Sequence, residues 1–445
     1  MHRRLAVVFC AWAVVAVALS GLADEPAQRM DRSKLLIGAY RYNPVGYDEA
    51  HVREVAECGV DFIVGVDPYE RKVLDLFAKY GLGAFAYRVF DDWNGGHGEN
   101  AGQMRSLRPK EKYEEQIRQY LADLDHPAIW KMKLADEPNA RDMAYIGEIA
   151  ELVRARSPHA QTYVNLYPNY AMLAKNSKAE ELSQLGTSTY REYIDTYCRT
   201  VPLDYISYDF YVYAPNEKHR LRLLDQMYDN FDCVAEACRK TGRSFWYIPQ
   251  VNSYKVKVGE FEPTSVNRLR FQAYTAMAYG AEVISWACWM PGWWTNNVYT
   301  ASGEKTAQYD KLKKVNAELK RLGPEYMRFR NLATSRIGGA FGGDDYRSEA
   351  FSSVRAREST ALVIGEMRPR GADNGERALF VVASGDPFDL RPASRHVVVA
   401  LPAGRRVRIL GPDGEILPQK SDDGTYAFPL AECSAALLVS GVVRE

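Results

Sequence analysis

The segment DHPAIWKMKLADEPN, from Asp125 to Asn139, decides how the rest of the chain is interpreted. Its middle, about Ala128 to Leu134, is mostly apolar and predicts a short buried strand. The strand runs into two adjacent carboxylates, Asp136 and Glu137, and Pro138 then prevents the chain from continuing the hydrogen-bond ladder. The segment therefore places acid groups at the end of a strand, and their role depends on the fold around them.

Apolar runs alternate with amphipathic segments on both sides of this stretch. The predicted strands are Leu35–Tyr40, Asp61–Val66, Leu82–Tyr87, Ala128–Leu134, Gln161–Leu166, Leu203–Tyr211, Ser244–Val251 and Ala281–Trp289. A helix is predicted after each of them, including one over 178–200 between the fifth and sixth strands. Eight such pairs between residues 34 and 325 predict a (β/α)8 barrel, because near-continuous apolar strands require a parallel sheet covered on both faces.

The pattern changes after residue 331. Short strands follow one another, separated by turn clusters such as Gly411–Gly414 and Ser421–Gly424, and no segment with helical periodicity lies between them. We therefore expect residues 331–445 to form an antiparallel β-sandwich that packs against the barrel.

The first 23 residues have the features of a secretory signal peptide. Arg3 and Arg4 precede an apolar run from Leu5 to Leu19, and small residues up to Ala23 provide a cleavage site. The run is too short for a membrane span, which needs roughly 20 residues. The sequence thus predicts a secreted or periplasmic protein without a membrane span.

Charge and cysteine usage narrow the possible partners. Lys plus Arg and Asp plus Glu number 57 each, which gives no indication of binding to nucleic acid or to an anionic membrane. The cysteines are scattered and lack zinc-type spacing, although secretion permits a disulfide from Cys198 to Cys233 or Cys238. We predict no metal and no cofactor.

The carboxyl ends of the strands meet at one rim of a barrel, so the polar and aromatic residues at those ends are candidate site residues. The candidates for substrate binding are Tyr40, Arg41, Asp67, Arg88, Asp92, Asn165, Tyr211, Gln250, Asn252, Trp286, Trp289 and Trp293. The catalytic candidates are Glu137, Asp136 and Asp209. Carboxylates, amides and aromatic rings on one rim suit a carbohydrate.

Glycoside hydrolysis needs a carboxylic acid that protonates the leaving oxygen and a second group that assists the oxocarbenium-like centre. Adjacent carboxylates raise each other's proton affinity through like-charge repulsion. Glu137 is therefore the predicted general acid and Asp136 its modulator. Asp136 also suits a helix N-cap, which would be a purely structural role.

The sequence has the segment His126–Trp130 before Asp136-Glu137-Pro138, the segment Asp209–Tyr211 on the sixth strand and an aromatic eighth strand. Together these features resemble (β/α)8 glycoside hydrolases of clan A, including family 42-like proteins. In that clan the general acid is a Glu at the end of strand four, commonly after Asn and before Pro. The resemblance implies that Glu137 is the acid, with Asp136 in place of the Asn.

The sequence departs from the clan at strand seven, where Gln250 replaces the nucleophilic Glu. Three alternatives remain open: Asp209 acts as the base of an inverting reaction, Asp209 or Asp67 acts as nucleophile, or the N-acetyl group of the substrate attacks. The last resembles hexosaminidases in which an Asp-Glu pair ends strand four.

The leading hypothesis is a secreted glycoside hydrolase acting on a poly- or oligosaccharide. A catalytically silent carbohydrate-binding barrel is the alternative from another class, motivated by Gln250. A metal-dependent hydrolase is disfavoured because neither H-x-H nor H-E-x-x-H occurs among the seven histidines. The sequence does not indicate the sugar, the linkage or the oligomeric state.

Overall fold

The structure is a computed structural model. It describes residues 30–40, 47–66, 71–87, 89–90, 93–94, 100–157, 161–171, 173, 183–213, 217–254, 264–291, 294–357, 360–384 and 394–442.

A parallel barrel occupies the first two thirds of the chain. Its strands are β1 (Leu36–Ala39), β2 (Phe62–Val66), β3 (Gly83–Ala86), β4 (Ile129–Asp136), β5 (Gln161–Asn165), β6 (Tyr205–Asp209), β7 (Ser244–Ile248) and β8 (Ala281–Trp286). β1 pairs with both β2 and β8, and a bridge between Leu166 and Tyr208 joins β5 to β6. The predicted (β/α)8 barrel is confirmed.

Helices cover the outside of the barrel. They are α1 (Glu49–Glu57), α2 (Arg71–Lys79), α3 (Met104–Leu107), α4 (Lys110–Leu124), α5 (Met143–Arg156), α6 (Tyr190–Thr200), α7 (Glu217–Thr241), α8 (Val266–Ala278) and α9 (Ala307–Tyr326). Side chains of Asp48, Ser265 and Thr306 accept hydrogen bonds from backbone N–H groups in the first turns of α1, α8 and α9. These caps satisfy donors that have no partner within the helix.

The helix predicted over 178–200 is shorter than expected. Residues 183–189 are not helical, and α6 begins at Tyr190 because Thr189 and Glu192 form a capping box that fixes its first turn. Ser183 and Gln184 belong instead to a loop whose carbonyl groups contact Asn139 shortly after β4, and residues 178–182 lie outside the described residues.

Side chains fill the barrel interior. The rings of Tyr205 and Trp246 stack with centroids 3.9 Å apart, and the Lys131 ammonium lies 4.8 Å from the Tyr205 centroid. Tyr163 and Phe85 pack beside them. Because the interior is a packed core, a ligand site has to lie at an end of the barrel.

The C-terminal part is a sandwich of two antiparallel sheets, as predicted. Its strands are β9 (Phe329–Ile337), β10 (Tyr346–Ser348), β11 (Phe351–Ala356), β12 (Leu362–Pro369), β13 (Arg377–Ala383), β14 (Ser394–Ala400), β15 (Arg405–Gly411), β16 (Gly414–Ile416), β17 (Gln419–Lys420), β18 (Tyr426–Ala431) and β19 (Ala435–Val442). One sheet has the order β9-β12-β13-β19-β15-β16 and the other β10-β11-β14-β18-β17.

The barrel and the sandwich share a hydrophobic core. Phe380 of β13 contacts Tyr274 of α8 and Tyr326 of α9. A Cβ at Gly365 would come within 2.1 Å of the Ala278 carbonyl oxygen, so only glycine permits this approach of β12 to α8. The sandwich therefore packs against the helical layer on the outside of the barrel.

The predicted disulfide is not formed. Among the described residues, Cys198, Cys233 and Cys238 carry no disulfide, which corrects the pairing considered from Cys198 to Cys233 or Cys238. Burial raises the pKa of the Cys233 thiol to about 11, so it is a protonated packing residue at neutral pH.

Candidate active site at the carboxyl ends of the strands

Asp136 lies at the centre of the rim and is 4% exposed. Its Oδ1 accepts hydrogen bonds from the Tyr40 hydroxyl (3.0 Å) and from Asn165 Nδ2 (3.2 Å), and Lys133 Nζ lies 3.1 Å from Oδ2. Three donors favour the charged form of a buried carboxylate. Asp136 caps no helix: Asn139 and Asp142 occupy the cap positions that follow.

Asn165 connects two carboxylates. Its Nδ2 donates to Asp136 and, at 2.7 Å, to Asp209 Oδ1. Its Oδ1 accepts from the Ser207 hydroxyl at 3.2 Å, and Ser207 in turn contacts the Tyr163 hydroxyl. In this orientation the amide nitrogen faces the acids, so both carboxylates act as acceptors.

Glu137 has a left-handed backbone, with φ of 53°. Few non-glycine residues adopt this conformation, and those that do concentrate at functional sites. Because neighbouring side chains in a regular strand point to opposite faces, the left-handed residue breaks that alternation directly after Asp136. The Glu137 N–H still bonds to the Asn165 carbonyl at 2.8 Å, which keeps the turn against β5.

Tyrosines surround the carboxylates. Burial raises the pKa of the Tyr167 phenol, with further contributions from the charges of Glu137 and Asp136, so this ring lies beside both acids. Burial likewise raises the pKa of Tyr211 well above its usual value, and Asp209 adds to the effect. Tyr40, Asn165, Tyr211, Asp136, Glu137 and Asp209 thus converge on one rim, on the side formed by β1, β4, β5 and β6.

Two loops are fixed to the end of β4. The Asn139 amide donates to the carbonyls of Ser183 and Gln184, at 2.8 and 3.1 Å, and so holds the loop before α6. Asp142 accepts from Trp93 Nε1 and from the backbone N–H groups of Gly102 and Met104, all near 3 Å, and so holds the loop after β3. The turn that contains Glu137 is consequently supported from both sides.

Gln250, at the end of β7, is fully buried and its side chain is used in packing. Its Oε1 accepts from the Tyr213 N–H at 3.1 Å, and its Nε2 donates to the Asn252 carbonyl at 2.9 Å. Asn252 is also buried, and its Nδ2 donates to the Cys288 carbonyl and to Asn297. Both amides tie loops together, and their assignment as ligand contacts stays a prediction.

The tryptophans of the eighth strand are also buried. Trp286 donates from Nε1 to Asn316 of α9 at 2.8 Å, so its ring faces the helical layer and not the rim. Trp289 is fully buried and its ring lies 6.0 Å from that of Tyr299. Trp286 packs against the helical layer and Trp289 is fully buried, and the assignment of both to substrate binding stays a prediction.

The remaining candidates, Arg41, Asp67, Arg88, Asp92 and Trp293, lie outside the described residues. Sequence reasoning overlooked Lys133. The signal was present, since lysines at 131 and 133 interrupt an otherwise apolar strand. Within the described ranges, no group of three or more His, Cys, Asp or Glu side chains is placed to hold a metal ion, and no helix is long and apolar enough to cross a membrane.

Comparisons with known proteins do not assign the chain to a family. No protein-family model matches the chain, and no curated protein is similar to it in sequence. Among solved structures, a β-galactosidase from the psychrophilic Marinomonas ef1 is 12% identical, with a TM-score of 0.44 over 64% of this chain. The chain covers 60% of the length of that protein.

Two further solved structures are similar at the same level. A family 51 arabinofuranosidase from Xanthomonas axonopodis pv. citri is 11% identical, with a TM-score of 0.43 over 94% of this chain and 98% of its own. A family 5 mannosidase from Rhizomucor miehei is 11% identical, with a TM-score of 0.44 over 65% of this chain and 94% of its own. All three are glycoside hydrolases, but these values are too low to support a statement about the activity of this chain.

Proposed function

We propose that this protein is a glycoside hydrolase that cleaves O-glycosidic bonds of a poly- or oligosaccharide. The observation that carries the proposal is the carboxylate cluster: Asp136, Glu137 and Asp209 follow two parallel strands and meet at one rim, with a single amide bound to two of them. Two carboxyl groups in different environments are what this reaction requires.

Glu137 is the proposed general acid. It is half-buried, and its left-handed backbone is a local strain that the supported turn sustains. Asp136 is unsuited to donating a proton because it already accepts three hydrogen bonds. The repulsion between the adjacent acids is weaker than the sequence suggests, since Lys133 offsets the charge of Asp136.

Asp209 is the proposed second carboxylate. Its Oδ1 is positioned by Asn165, as expected for a group that must remain an acceptor whether it activates water or attacks the sugar. A substrate-assisted N-acetylhexosaminidase is less well supported, because the oxygens of Asp136 that would orient the acetamide already accept bonds from Tyr40, Asn165 and Lys133.

One observation favours a different class of function. The Gln250 side chain is engaged with the backbone of Tyr213 and Asn252, so strand seven presents no carboxylate from that position. A catalytically silent carbohydrate-binding barrel would have this property. Location also remains a proposal: the N-terminal segment that resembles a signal peptide favours a secreted or periplasmic protein.

The test is a reducing-end assay over a broad panel of polysaccharides, with product anomers followed by NMR. Glu137→Gln is expected to lose most of the activity and to retain binding in affinity electrophoresis. Glu57→Gln is the matched control, because Glu57 is exposed on α1 and far from the rim. Binding without hydrolysis by the wild-type protein would favour the silent barrel, and full activity of Glu137→Gln would exclude Glu137 as the acid.

A further inference from the structure

Lys133 is a buried cation directly beneath the carboxylate cluster. It lies on β4 three residues before Asp136, and its side chain is 6% exposed. Its Nζ is 3.1 Å from Asp136 Oδ2 and 5.0 Å from the centroid of the Tyr87 ring. Removing a lysine from water is costly unless a partner compensates it, and here the partner is one of the three rim acids.

The second observation is the arrangement of the two aspartates. Asn165 Nδ2 reaches Asp136 at 3.2 Å and Asp209 at 2.7 Å, so the two carboxylates share one neutral donor group. Two like charges this close in a site of low solvent access oppose each other's ionisation. A neutral amide orients both groups but supplies no charge to offset the repulsion.

We infer that Lys133 is a positioning residue for the proposed reaction: its ammonium holds Asp136 as an anion, and the neutralised pair allows Asp209 to remain ionised on the same Asn165 amide. Without the cation, one proton would be retained by the two aspartates. The Asn165 amide would then face one carboxylate and one protonated carboxyl group. Over part of the pH range Asp209 would carry the proton, and there it could not act as base or nucleophile.

Among the described residues, further titratable groups on the neighbouring strand ends face the pair. They are the phenols of Tyr40 after β1, Tyr87 after β3, Tyr163 and Tyr167 on and after β5, Tyr211 after β6 and Tyr247 on β7, with the Cys288 thiol after β8 and the Glu137 carboxyl. Burial raises the pKa of Tyr163, Tyr167, Tyr211 and Tyr247, so these rings stay neutral. Glu137 is removed from the comparison by repeating the measurements in a Glu137→Gln background.

The first experiment measures the midpoint of thermal unfolding, Tm, between pH 4 and 8 and needs no substrate. Lys133→Met raises the folded-state pKa of an aspartate, so the folded variant binds an extra proton that is lost as pH rises. Its deficit in Tm relative to wild type should therefore grow from pH 4 to pH 7, reaching about 5 °C or more.

Three further variants keep this test decisive. Lys133→Met/Asp136→Asn removes both charges, and it should recover most of the lost Tm and lose the added pH dependence. Lys133→Arg should stay close to wild type. Lys131→Met is the comparison variant, since Lys131 is buried two residues away and contacts Gln161, not a carboxylate; its change in Tm should be the same at every pH below that at which Lys131 titrates, about 7. A deficit for Lys133→Met that is the same at every pH, or no recovery in the double variant, would overturn the inference.

The second experiment rests on the proposed function. With a glycan that the wild-type protein hydrolyses, the acidic limb of the kcat/KM profile should move to higher pH by about one unit in Lys133→Met and return in Lys133→Arg. An unshifted limb contradicts the role of Lys133 in the reaction. If no glycan is hydrolysed, the proposed function fails while the unfolding experiment still decides the ionisation of the pair.

Discussion

The ends of β4 and β7 present their polar residues in opposite ways. At β4, Asp136 is buried and accepts hydrogen bonds from the side chains of Tyr40 and Asn165, while Glu137 directly after it is half-buried. At β7, Gln250 is fully buried, and both of its polar atoms bond to backbone groups of nearby loops. The glycoside hydrolase clan that the sequence resembles has its two catalytic carboxylates at the ends of these two strands. In this protein the end of β4 carries Glu137, the proposed acid, and the end of β7 carries Gln250, whose side chain is used in packing.

The difference arises from what covers each strand end. The chain after β4 turns at once through the left-handed Glu137, whose side chain stays half-buried although Asp136 before it is buried. The chain after β7 is held down by Gln272, which exchanges two hydrogen bonds of 2.9 Å with the backbone of Gln250. A residue at a strand end takes part in chemistry only if the following loop leaves it accessible.

Loss of the second acid should have the largest effect. Asp209→Asn keeps the shape and one acceptor oxygen facing Asn165, so the fold should persist, while hydrolysis should fall by roughly 10²–10⁴-fold. Initial rates in the reducing-end assay, with circular dichroism as a check on folding, measure this. Activity within a few-fold of wild type would move the second carboxylate elsewhere.

Restoring a carboxylate at β7 should damage stability and give no activity. Gln250→Glu replaces the N–H donor that bonds to the Asn252 carbonyl by an acceptor, which leaves two oxygens opposed in a fully buried position. We expect a loss of about 1–3 kcal/mol in the free energy of unfolding, measured by urea denaturation. A gain in hydrolysis would show that the end of β7 does reach the substrate.

Of the two buried lysines on β4, Lys131 has no contacting carboxylate. It should therefore contribute less to the stability of the fold than Lys133. Burial lowers the pKa of Lys131 from 10.5 to about 7, so between these values the unfolded chain binds more protons and stability rises with pH. Lys131→Met should therefore gain about 1–2 kcal/mol at pH 7 and below, after the lost contacts are deducted, and the gain should vanish near pH 10. Urea denaturation at pH 6 and pH 10 measures this, and a gain that does not depend on pH would contradict the prediction.

The smallest effect is expected at β8. Trp286→Phe removes the hydrogen bond to Asn316, which should reduce stability by about 1 kcal/mol and leave KM unchanged. Thermal unfolding and Michaelis–Menten kinetics test the two parts. A raised KM would favour the predicted contact of Trp286 with the ligand.

Several site residues could be predicted from the sequence because parallel strands place their carboxyl ends together. Asp136, Glu137, Asn165 and Asp209 were all selected on that ground, and the structure brings the first, third and fourth into direct contact. Lys133 was missed because a lysine within a buried strand has no preferred function in a sequence pattern. Only the position of its ammonium relative to Asp136 identifies its partner.

The sequence by itself determined the architecture, because the alternation of apolar strands with amphipathic helices and the later change to short strands depend on local periodicity. It also determined which strand ends carry acids. Only the tertiary structure decided which end groups remain accessible: the turn at Glu137 and the burial of Gln250 and Trp286 depend on loops and helices distant in sequence. The physical reason is that hydrogen-bond partners and solvent access are set by packing between segments, which no local pattern encodes.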